Sequence, residues 1–363
     1  MKLLVELSER QFRQIQRLLD DGRYESVASF VSAAVENQLL LETDTSTFKS
    51  NTMVGFDLSV SAWDGGAGRH PRAGRLEAVG MPSWWTELRQ AVNAPVDSVE
   101  LTDDLYEQCD VFPITAGPND MLPGLISRLL PVKFAARVLY SGLAALGQPT
   151  IRLETFLDRA GQYALWTGDW LAKQDELLGR RREEAISTGF PRSSRDAAKS
   201  VERYRSLFLA SIRSKEQKAD GALLSLKLAV LKKRGAELHI CLTDAGSEFA
   251  RMFNPVIDGE QPAQEALSLD ERRFIIRHVR HWVPGEYRAT RLVLDALGQG
   301  VVERNALNRL LAKVWPDWSP DQVNSWRSGL LSRMSELGLL ERNREGRALE
   351  YRVSESATEL LGS

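Results

Sequence analysis

Lys2-Leu3-Leu4-Val5-Glu6-Leu7-Ser8 opens the chain with side chains that alternate as they do along a strand. Leu3, Val5 and Leu7 share one face, and Lys2, Leu4 and Glu6 share the other. Ser8 and Glu9 then start a helix whose apolar stripe is Phe12, Ile15, Leu18 and Leu19, and Asp20-Asp21-Gly22 ends it. Ser26 caps a second helix with Phe30, Val31, Ala34, Val35 and Leu39 along one face. The lone strand has nothing in its own segment to pair with. Its free backbone groups and apolar face predict pairing with the same strand of a second copy across a two-fold axis. These residues by themselves predict a homodimer joined through residues 1–40.

The turn and second helix read Gly22-Arg23-Tyr24-Glu25-Ser26 and then Phe30-Val31-Ser32-Ala33-Ala34-Val35. Together with the strand and the helix lengths, they resemble the ribbon–helix–helix family of Arc and MetJ type, its antitoxin-like branch above all. The resemblance covers about 45 of the 363 residues. It implies paired strands in the DNA major groove, their outward side chains reading base edges. It also implies a phosphate held by backbone amides where the second helix starts. By position, Lys2, Leu4 and Glu6 would face bases, and Ser26 and Val27 a phosphate. Lys2 suits guanine, Leu4 offers apolar contact only, and Glu6 accepts from cytosine but repels phosphate. Residues 1–44 hold 5 Lys and Arg against 8 Asp and Glu. Dimerisation is therefore the property this module is expected to keep.

A chain of 363 residues exceeds one ordinary core and is expected to divide into several domains. No run reaches the eighteen or so apolar residues that a membrane span needs. The start lacks the basic-then-apolar layout of a secretory signal, and Cys109 and Cys241 lie far apart without CxxC spacing. A cytoplasmic, nucleoid-associated location is expected. The net charge of −2 hides a strong asymmetry. Residues 45–120 hold 5 basic against 11 acidic residues, whereas residues 121–234 hold 21 against 11. A basic block of that size fits a phosphate-binding surface, or equally a set of solvated helix faces.

Residues 45–120 are acidic and Gly-rich, with no GxxxxGK[ST] loop, and read as a poorly assigned region. Adjacent Trp84 and Trp85 head a helix to Val92. Residues 121–196 read as a basic helical domain of two long helices, one stopped by Gly147 and Pro149 and one running from Leu153 to Glu184. Arg180, Arg181 and Arg182 end the second helix, and Arg192 and Arg195 follow in a loop. Residues 197–260 resemble a winged helix of MarR type. The resemblance rests on a helix over 222–233, a strand over 237–242 and the step Leu242-Thr243-Asp244-Ala245-Gly246. It implies phosphate contacts by Lys227, Lys232, Lys233 and Arg234.

Within 261–363, helices over 287–297, 303–314 and from Ser319-Pro320 to Gly338 precede a hairpin of 339–343 with 348–353. Three helices and a two-stranded wing resemble the winged helix-turn-helix pattern, which implies a third helix in the major groove. Its expected outward positions are Gln322, Asn324, Ser325, Arg327, Ser328 and Arg333, joined by Arg342, Arg344 and Arg347 on the wing. A surface pair is the reading given to His278 and His281, since no third metal ligand stands near them, and GxSxG, HExxH and dinucleotide fingerprints are missing. The expectation is a mainly α fold with small β: a ribbon–helix–helix followed by two or three tandem winged-helix domains. Its expected function is non-enzymatic and cofactor-free, a homodimeric transcriptional regulator on double-stranded DNA. The alternative is a protein-interaction scaffold of an antitoxin, defence or partition system, docking another protein on the acidic first 120 residues.

Overall fold

The computed structural model describes residues 83–108, 110–114, 121–194, 196–213, 215–260, 262–345 and 348–362. The ribbon–helix–helix segment, with Lys2, Leu4, Glu6, Ser26 and Val27, lies outside the described residues. What is described is mainly helical with small antiparallel sheets.

In chain order the elements are α1 (Ser83–Gln90), β1 (Val111–Phe112), α2 (Leu130–Leu146), β2 (Ile151–Arg152) and α3 (Leu153–Leu177). Then come α4 (Ala197–Tyr204), which runs on as a π-turn over Arg205–Leu209, β3 (Ser211–Arg213), β4 (Lys218–Asp220), α5 (Ala222–Ser225), β5 (Ala229–Arg234), β6 (Glu237–Leu242) and α6 (Asp244–Arg251). The last third is α7 (Leu269–Trp282), α8 (Pro284–Gly298), α9 (Arg304–Val314), α10 (Pro320–Glu336), β7 (Leu340–Glu345), β8 (Ala348–Val353) and α11 (Ala357–Gly362).

α2 is the central helix of the middle region, buried along its length from Leu130 to Leu143. Such a helix cannot show one apolar stripe, because every side meets protein. Two cations on it, Lys133 and Arg137, reach the C-terminal end of α6. Lys133 donates to the Phe249 carbonyl and, at 2.7 Å, to that of Met252. Arg137 donates to the Ala250 and Met252 carbonyls at 2.5 and 2.8 Å. Positive charge at a helix C-terminus satisfies its unpaired carbonyls and complements its dipole. Glu271 and Asp258 neutralise the two cations at 2.9 and 2.8 Å.

A four-stranded antiparallel sheet in the order β1-β5-β6-β2 covers this helix layer. It draws strands from residues 111–112 and 151–152, so it crosses the boundaries expected at 120/121 and 196/197. Residues 197–260 supply only two of the four strands of this sheet, besides the separate pair β3–β4. The helix expected over 222–233 is also corrected. Lys227 takes φ +54, which ends α5 after one turn, and 229–234 extends to pair with 237–242 across Gly235. α3 stops at Leu177 rather than Glu184, where Gly179 takes φ +62.

The C-terminal third keeps the expected order of three helices and a hairpin. Ser319 caps α10 by accepting from the Gln322 amide, and Gln322 returns the bond to the Ser319 amide at 2.8 Å. In the turn between α9 and α10, Trp315 stacks on Trp318 with centroids 5.0 Å apart, and Trp318 leans at 4.8 Å on Trp326 of α10. One continuous apolar core runs from Trp85 through α2 and α3 to Leu360. No helix among the described residues is long and apolar enough to cross a membrane.

Candidate nucleic-acid interface

α10 is the helix that directly precedes the β7–β8 hairpin, and its surface is divided. Gln322, Asn324 and Ser328 are exposed, and Ser325 is half-buried. Beyond them the outward face closes. Arg333 was expected at the surface but is 2% exposed, because its guanidinium pairs with Glu286 at 2.6 Å and donates to the Ile126 carbonyl. Glu336 accepts the Leu129 and Leu130 amides at 2.5 and 3.3 Å, which caps the N-terminus of α2. Full burial pushes the Glu336 carboxyl above the usual range, against the opposing pull of Arg128. Between these contacts Gly329 meets the backbone of Gly124 so closely that no Cβ fits. Segment 122–130 therefore covers the C-terminal half of α10, and only its first turns face outward.

Arg327 departs from the same expectation, at 6% exposed. Burial, with Arg304 beside it, lowers its guanidinium from the ordinary arginine value. On the wing, Arg342 is half-buried and donates to the Glu183 carbonyl and to that of Ser332 at 3.3 Å. Arg128 donates to the same Glu183 carbonyl at 2.6 Å. The side chain of Arg344 and all of Arg347 lie outside the described residues.

Those bonds tie the loop after the triple arginine to the C-terminal wing. Arg180 is a strut, paired with Asp175 at 2.9 Å and donating to the Ala263 carbonyl. Arg181 and Arg182 are exposed. Arg192 bonds the Ser187 hydroxyl at 2.7 Å, and Arg195 lies outside the described residues.

The remaining basic residues stand elsewhere. Lys233 and Arg234 are exposed at the tip of the β5–β6 hairpin, with Lys233 over the Phe112 ring. Lys232 pairs with Asp110 at 3.4 Å, and Lys227 lies over the Trp282 ring. Arg152, which immediately precedes α3, is paired with His239, and His239 with Lys232. The hairpin thus sits at the start of α3, whereas Arg181 and Arg182 follow its end. α3 itself holds twenty-five residues and is about 37 Å long. Two of the three basic groups adjoin, and the third belongs to the sheet that precedes α3.

Sequence reading missed the buried acids Glu286 and Glu336 that close half of α10. Gly329 inside the helix, with Leu331 apolar outside the main stripe, was the available signal. Among the described residues no group of three His, Cys, Asp or Glu could hold a metal. Comparison with protein-family models, curated proteins and solved structures finds no match.

Proposed function

We propose that the chain is a DNA-binding protein, a homodimeric transcriptional regulator whose C-terminal helix-turn-helix meets the duplex with the first turns of α10. The observation that carries this reading is the exposed polar end of α10, with Gln322, Asn324 and Ser328 outward, on a three-helix unit with a β-wing. Arg181 and Arg182 beside that wing, and Lys233 and Arg234 on the second hairpin, supply cations for phosphates. Homodimerisation rests on the sequence of residues 2–8.

Fluorescence anisotropy with genomic duplex fragments, the protein's own promoter among them, tests this. Affinity should fall with salt by roughly 0.9 in log–log slope for each phosphate contacted. Arg181→Ala with Arg182→Ala should lower that slope by roughly two such steps, and Gln322→Ala should relax sequence preference. Undetectable or salt-insensitive binding removes the reading.

A further inference from the structure

Of the other nearly buried cations among the described residues, Lys133, Arg137 and Arg333 each have a carboxylate within 2.9 Å, and Arg128 donates to the Glu183 and Ala185 carbonyls. Arg327 differs. Its Nη2 donates to Asn324 Oδ1 at 2.6 Å, and its buried Nε has no partner among the described residues. The charged and titratable groups that act on it are Arg304, which repels it, and the Tyr351 hydroxyl. A guanidinium taken out of water without a counter-ion is costly, and a second cation beside it adds to the cost. An anion seated there would remove both penalties.

The four residues come from three elements. Arg304 is the exposed first residue of α9, where the helix dipole adds positive potential. Asn324 and Arg327 lie one turn apart on α10, and Tyr351 is half-buried on β8. Asn324 is exposed and holds the guanidinium from its outer side, so its amide nitrogen remains a donor at the rim.

We propose that Arg327, Arg304, Asn324 and Tyr351 form a seat for one phosphate group, either of a nucleic-acid backbone or of a small phosphorylated ligand. Only the first source rests on the DNA-binding reading. The planar fork of arginine matches two phosphate oxygens, and Arg304, Asn324 and Tyr351 supply further donors.

The test uses the full chain and inorganic phosphate, titrated at constant ionic strength while the thermal midpoint is followed. Phosphate should raise the wild-type midpoint. Arg327→Met should abolish that rise and leave the phosphate-free midpoint equal or higher, since it removes an uncompensated charge. A merely structural arginine would lower it instead. Arg304→Ala, at an exposed position, should weaken the phosphate effect about tenfold without loss of folding. An equal phosphate effect in wild type and both variants, or none in any of them, overturns the seat. Duplex DNA separates the two sources. If the occupant is backbone phosphate, Arg327→Met lowers the salt slope by about 0.9. An unchanged slope together with a lost phosphate effect assigns a small phosphorylated ligand. DNA binding and a phosphate effect that both ignore Arg327 leave the DNA reading standing without the seat. An Arg327-dependent phosphate effect with no DNA binding does the reverse.

Discussion

Glu336, the last residue of α10, accepts the amide of Leu129 at 2.5 Å and so caps a helix that begins 206 residues earlier in the chain, at Leu130. The bond joins the C-terminal helices to the central helix of the middle region. Glu336→Ala leaves two buried amides without an acceptor and should cost about 2–4 kcal/mol in urea unfolding. Because burial raises the Glu336 carboxyl in the folded state, ionising it works against folding. Its stability contribution is full below the unfolded carboxyl value of 4.5 and falls as pH rises toward the folded value. Glu336→Gln should flatten that decline in the pH dependence of unfolding. An unchanged pH profile would remove this account.

Gly329 and Gly298 form a matched pair of helical glycines. A methyl group at Gly329 runs into the Gly124 carbonyl, whereas at Gly298 it meets nothing within 4 Å. Gly329→Ala should therefore lower the thermal midpoint by many degrees, by roughly 3 kcal/mol or more as overpacking against backbone. Gly298→Ala should be neutral or stabilising by about 0.5–1 kcal/mol. Calorimetry of both variants decides, and equal effects would count against the close crossing.

Lys133 and Glu271 are a fully buried ion pair 2.9 Å long, and burial brings the ammonium down to about 8 despite Glu271. Removing one member strands the other. Lys133→Met should cost about 3–5 kcal/mol, and Lys133→Met with Glu271→Gln should recover part of that loss. A double-mutant cycle in urea measures the coupling, and strictly additive losses would show the pair to be independent.

His278 sits neutral against α5, its Nε2–H donating to the Leu226 carbonyl at 2.6 Å and its ring stacked on Phe274. Burial lowers its value from 6.5 to about 4. The unfolded chain thus binds the proton more tightly, so this stabilisation is present above pH 6.5 and is lost as pH falls toward 4. About 3 kcal/mol is at stake across that window. His278→Gln should reduce the acid dependence of unfolding between pH 6.5 and 4. A proton NMR titration of the ring placing it near its ordinary value would contradict the prediction.

Local chemistry was legible in the amino-acid order. Gly147 takes the left-handed conformation expected of a helix stop, Thr243 caps α6, and Ser319 with Pro320 and Gln322 starts α10. These features depend on neighbours within four residues, and hydrogen bonds of that reach are written into the sequence. The segment 222–233 misled because its leucines fit a helical period, while the turn at Lys227 and the pairing with 237–242 override it.

The roles of the arginines were settled only by tertiary structure. Arg327, Arg333 and Arg342 are indistinguishable by type and all fall at outward positions of a winged-helix pattern. Among the described residues their partners differ: Asn324 for the first, Ile126 and Glu286 for the second, Glu183 and Ser332 for the third. Two of those partners lie 207 and 159 residues away in the chain. The sequence alone determined where α10 begins and that it follows two helices and precedes a hairpin. Which of its cations remain free to meet an anion was decided by the contact of segment 122–130 with its far half, since burial depends on neighbours that periodicity does not encode.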